Sequence, residues 1–128
     1  MSKSMDMVKT AYQALDKKLA EDIKVIDISK VSVLADYFII ANGANINQVQ
    51  AIADEVLEKM EQAGYRLRQI EGYQSAIWIL MDFSDVVIHV FSRDDRRFYD
   101  LERIWRDGTI VEMEESQNGQ AEKDTAAK

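Results

Sequence analysis

The 128-residue sequence has no cysteine and a single histidine, His89. Without thiols there is no disulfide scaffold, no sulfur nucleophile and no cysteine-based zinc site. The lack is consistent with a reducing compartment. One histidine binds a metal only with several further nitrogen or carboxylate ligands, and no second imidazole exists to help. No apolar run approaches the roughly 20 residues that cross a bilayer. The opening MSKSMDMVKT lacks the apolar stretch of a secretory signal. A cytoplasmic location with no membrane partner is therefore expected.

Positive charge is also scarce, with 16 Lys and Arg against 23 Asp and Glu, a net charge of −7. From Arg106 onward six acids face three bases, so the last stretch carries −3 and the remainder −4. Nonspecific nucleic-acid binding draws most of its affinity from Lys and Arg neutralising phosphates, so little direct nucleic-acid contact is expected. Such a body is better matched to a basic protein surface, where opposite charge speeds encounter. Solubility alone is the simpler consequence of the charge.

What is present is a globular composition, 47% hydrophobic and 30% charged. The length suits one domain, large enough to bury a core without a metal or disulfide staple. Met7, Val8, Ala11, Tyr12, Leu15 and Leu19 recur at helical steps and predict an amphipathic first helix. IKVIDI (23–28) and DYFIIA (36–41) are short and β-rich, and the second is apolar on both faces, as in a central strand. In NGAN (42–45), Asn45 is placed to cap a helix whose stripe runs through Ile46, Val49, Ile52, Ala53, Val56, Leu57 and Met60, with Gly64 as its left-handed end. Residues 65–72 alternate as a half-exposed strand. AIWILM (76–81) and DVVIHVF (85–91) flank a loop short enough for a hairpin. Phe98, Leu101, Ile104 and Trp105 mark a last helix. The expected fold is α/β, a mixed five-stranded sheet packed with helices in the order α-β-β-α-β-β-β-α. The folded domain is expected over 1–106, with 107–128 an acidic, disordered tail.

No catalytic constellation emerges. On its strand His89 shares a face with Asp85, Val87 and Phe91, but no cysteine awaits activation and no serine sits in a G-x-S-x-G elbow. A structural histidine, hydrogen-bonded to a carboxylate or backbone group, is the better reading. Asp82, Asp85 and the pair Asp94–Asp95 are expected to serve turns and a helix start; paired carboxylates also suit Mg²⁺, which leaves a nucleotide-binding enzyme as the alternative. NGAN has one glycine before a helix, a weak phosphate signal. The four arginines of RDDRRFYDLERIW are matched by acids, as on a solvated helix with ion pairs at i,i+4. In AIWILM, Trp78 and Leu80 point one way, Ile79 and Met81 the other. One of these faces is core, and the other lies under a helix or a partner, with Trp and Met as typical interface anchors.

DYFIIANG, QAIADEVLEKM, EGYQSAIWILMDFSDVVIHVF and RRFYDLERIW, in this order and with these gaps, resemble the ribosomal silencing factor family, also called Iojap-related. The resemblance covers about Met7 to Trp105. It implies a nucleotidyltransferase-like fold without enzymatic activity, cofactor or metal. It implies binding to the large ribosomal subunit through ribosomal protein number fourteen, which sterically blocks joining of the small subunit and represses translation under nutrient limitation. It also allows a homodimer off the ribosome. Carried onto matching positions, Trp78, Leu80 and Met81 are the expected apolar contact, with Glu71, Asp82 and Asp85 as acidic partners. His89 matches the histidine of the family's VVHVF block. Two positions depart from the pattern. Ser84 stands where the family has glycine, so the hairpin is either less tight or holds Ser84 at a costly positive φ. Asn42 stands where the family commonly has threonine.

Overall fold

The computed structural model describes residues 3–93, 109–111 and 113. The last predicted helix, Asp94–Asp95, the arginine-rich stretch beyond Arg93 and most of 107–128 lie outside the described residues.

Among the described residues eight elements follow in chain order: α1 (Lys3–Lys17), β1 (Glu21–Asp27), β2 (Tyr37–Gly43), α2 (Ile46–Gln62), β3 (Gln69–Glu71), β4 (Trp78–Asp82), β5 (Val86–Ser92) and β6 (Thr109–Val111). The strands form one mixed sheet in the order β3-β4-β5-β2-β1-β6. Among the described strands only β2 and β5 run parallel, and the crossover that a parallel pair requires is supplied by α2 and the β3–β4 arm. All five expected strands are present. The sixth, Thr109–Val111, pairs with Val25–Asp27 of β1 although it lies beyond Arg106, where the apolar periodicity fades.

The two described helices, α1 and α2, take the faces their stripes predict. Met7, Val8, Ala11 and Leu15 of α1 and Val49, Ile52, Ala53, Val56 and Met60 of α2 are buried against Val25, Ile39, Ala41, Ile79, Met81, Ile88 and Val90 of the sheet. At the start of α2, Asn45 is extended and its side chain accepts from the Gln48 amide at 2.9 Å. At the end, Tyr65 N donates to Met60 O and Gly64 N to Glu61 O, both at 2.9 Å, with Gly64 at φ +89. This double bond pattern is a Schellman cap, and it explains why Tyr65 closes the helix rather than opening a strand. The sheet's other face carries a second apolar cluster of Ile26, Ile28, Ala35, Ile40 and Phe91, with Phe38, Trp78 and Val87 beside it. β2 contributes to both clusters, as a central strand should.

The hairpin between β4 and β5 turns over residues 83–85. Phe83 N donates to Val86 O at 2.9 Å, and the Asp82 carboxylate accepts from Ser84 N at 2.8 Å. Ser84 takes φ +76, so the turn keeps a glycine-like conformation and the serine bears its cost. Ser84→Gly is expected to raise stability by about 0.5–1 kcal/mol, the relief of left-handed strain less the freedom glycine adds to the unfolded chain. Urea melts of the two proteins measure this; an unchanged or lower midpoint would show that the turn stores no strain.

Candidate functional site

Of the residues carried over from the family resemblance, Trp78, Leu80, Glu71 and Asp82 lie on the β3–β4 edge of the sheet, on the side away from α1 and α2. Leu80 stands opposite Glu71 across the β3–β4 ladder, and Asp82 opposite Gln69. Strand alternation puts Trp78, Leu80 and Asp82 on one face, each partly exposed, while Ile79 and Met81 face the helices. Glu71 is exposed at the rim. Met81 is 0% exposed and belongs to the helix-side core. It is therefore not a contact residue: its neighbours Trp78 and Leu80 have surface to offer, and it has none.

The acids differ in how committed they are. One Asp82 oxygen closes the hairpin turn; the other takes the Arg68 guanidinium at 2.7 Å. A basic partner group would have to share this carboxylate with Arg68, an exposed pair of modest strength. Asp85 works through its backbone, whose carbonyl accepts from Asp36 N at 2.8 Å and Tyr37 N at 3.1 Å and so ties the hairpin to the start of β2. Glu71 accepts from Gln69 Nε2 on its own strand. Among the described residues, no three His, Cys, Asp or Glu side chains gather to hold a metal ion. Around the start of α2, three amides have partners: Ala44 N donates to Gln48 Oε1 at 2.6 Å, Gln48 N to Asn45 Oδ1 at 2.9 Å and Val49 N to Asn45 O at 3.0 Å. The glycine of NGAN is explained by packing, since a Cβ on Gly43 would lie 2.9 Å from Val49 N.

Behind Trp78 lies His89. The β4–β5 register pairs Trp78 with Phe91 and Leu80 with His89, so the imidazole is the diagonal neighbour of the indole. Trp78 Nε1 donates to His89 Nδ1 at 3.1 Å. The indole also stacks on Phe91, with centroids 5.1 Å apart and planes 28° apart. Phe38 packs on the imidazole from β2 at 4.9 Å. His89 is buried, and its hydrogen-bond partner is an indole rather than the expected carboxylate or backbone group. The sequence alone points to this pair only once the hairpin register is known.

His89 is 5% exposed, and burial pulls its pKa from 6.5 down to about 4. The unfolded chain therefore binds more protons than the folded one between these values. The sign follows: this contribution to stability is complete above about pH 6.5 and is lost as pH falls toward 4. Its size is on the order of 3 kcal/mol. Unfolding free energies of the wild type and His89→Gln between pH 4 and 7 measure it; parallel curves would contradict it.

The whole chain, residues 1–128, matches the family model described as "Ribosomal silencing factor during starvation". The chain is 40% identical over 112 residues to the protein named ribosomal silencing factor RsfS of Bacillus subtilis, covering 88% of this chain and 95% of that one. A crystal structure of a Chromobacterium violaceum protein superposes with a TM-score of 0.79 at 33% identity, covering 90% of this chain and 92% of that one. A more distant relative, 29% identical over 94 residues, is the mouse protein named mitochondrial assembly of ribosomal large subunit protein 1; the match spans 71% of this chain and 41% of that one. With its whole length matched by the family model and 40% identity to a named member, the chain belongs to the ribosomal silencing factor family.

Proposed function

We propose that the protein represses translation by docking on the large ribosomal subunit, through ribosomal protein number fourteen, so that the small subunit cannot join. The observation that carries this reading is the patch of Trp78 and Leu80, rimmed by Glu71 and Asp82, on the sheet face opposite the helices. A half-buried tryptophan among apolar neighbours with acids at its edge has the anatomy of a binding hot spot. The net charge of −7 favours encounter with a basic ribosomal protein. The large subunit is also the assembly named for the mouse relative, and starvation is the condition named for the family.

The mechanism is occupation of a surface. No bond is made or broken, and no cofactor or metal takes part. The cytoplasm, where translation proceeds, is the setting. A homodimer formed through the same face would compete with docking, and sedimentation at several concentrations reads that competition.

The direct test is co-sedimentation with purified large subunits, with isolated ribosomal protein number fourteen added as competitor. Binding that the competitor displaces is expected. Binding that the competitor leaves untouched would place the contact elsewhere. Saturable binding of a nucleoside triphosphate with Mg²⁺ by calorimetry would instead favour the nucleotide-binding enzyme.

A further inference from the structure

We propose that His89 is the positioning residue of the docking face: its Nδ1 holds the Trp78 indole in the orientation that meets the partner, and so sets affinity without touching the ribosome. This rests on the docking reading above.

The donor inventory determines the state of the pair. An indole N–H only donates, so the His89 Nδ1 that receives it at 3.1 Å must be bare. A neutral imidazole then carries its proton on Nε2. That atom is buried and has no hydrogen-bond partner among the described residues. A buried N–H without an acceptor costs free energy. Ile40 and Phe91, the apolar neighbours, fill comparable positions of the same face without that cost. Packing alone therefore does not account for an imidazole here, whereas the acceptor it offers to Trp78 does.

Geometry shows what the bond adds. Stacking on Phe91 fixes the plane of the indole, but a stacked ring still slides and turns within that plane. A directional bond from Nε1 to a strand-borne acceptor removes that freedom before the partner arrives. Preorganising one large side chain in this way improves affinity by sparing the ordering cost on binding. At 5% exposure His89 itself has almost no surface for a partner.

His89→Gln keeps a side-chain oxygen to accept from Trp78; His89→Leu does not. The leucine variant is expected to bind large subunits about three- to tenfold more weakly, the range for ordering one rotamer-rich side chain, and the glutamine variant within about twofold of wild type. In a Trp78→Phe background, which has no indole donor, His89→Leu should cause no further loss. The second readout is the indole N–H resonance of Trp78, assigned by its absence from Trp78→Phe. It should shift and exchange faster in His89→Leu and stay near wild type in His89→Gln. His89→Met, more adaptable in packing, carries the same arm if the leucine variant melts below the assay temperature.

An indole resonance unmoved by His89→Leu would overturn the positioning bond. Wild-type affinity in His89→Leu with a moved resonance would overturn its effect on docking. Equal losses in the folded leucine and glutamine variants would do the same. Failure of the wild type itself to bind large subunits would overturn the docking reading, with the resonance still reporting the bond.

Discussion

Trp78→Ala is expected to weaken binding to the large ribosomal subunit by about 2–4 kcal/mol, some thirty- to several-hundredfold. The indole is partly exposed on the sheet face that carries Leu80, stacks on Phe91 and donates to His89. Truncation removes the largest side chain of the patch and leaves His89 Nδ1 without its donor. The same change also costs folding stability, because the buried part of the ring packs on Phe91. That cost is expected to be about 1–3 kcal/mol, below the 3–5 kcal/mol of a fully buried tryptophan. Calorimetry with large subunits well below the melting midpoint separates the two effects. A variant that melts lower but binds normally would assign Trp78 to the core and remove it from the docking face.

The largest effect on stability is expected from Gly72→Ala. Gly72 sits at φ +80, and a Cβ there would lie 2.1 Å from the Trp78 carbonyl oxygen. The atom it meets is backbone, at the first residue of β4, so no side-chain rotation relieves the clash. The loop between β3 and β4 is further closed by Ala76 N donating to Gly72 O at 2.9 Å. Left-handed strain adds about 1 kcal/mol to the displacement of the strand end. A total of at least 3 kcal/mol is expected, a fall of about 10 °C or more in melting temperature for a chain of this size. Any folded fraction should also bind poorly, since the displaced residue is Trp78. A near-wild-type melt would show that the loop accommodates a side chain and that the close approach is not rigid.

Legibility in the sequence varied with the kind of signal. Local chemistry was readable: Asn45 caps α2, Gly64 ends it, and the doubly apolar DYFIIA is central. Alternation in β4 correctly paired Trp78 with Leu80 and Ile79 with Met81. Alternation is relative, however, and does not say which face the helices cover. Met81 joined the expected contact through the family resemblance, although alternation already set it on the face opposite Trp78; in the fold that face is core. β6 has three residues and owes its existence to pairing with β1, so it leaves no periodic signal. The eight-residue alternating stretch 65–72 yields only Gln69–Glu71, since Tyr65 is spent on the helix cap and Gly72 turns left-handed. The contact between Trp78 and His89 depends on register across the hairpin, a tertiary fact that two strand assignments alone do not contain.

The central claim is that the Trp78 face blocks subunit joining by occupying the large subunit. Light scattering during mixing of large and small subunits, with the protein preincubated on the large subunit, tests it most directly. Wild type should suppress the rise in scattering in proportion to its occupancy, and folded Trp78→Ala should restore it at the same concentration. Undiminished joining at saturating wild type, or equal suppression by Trp78→Ala, would contradict the account.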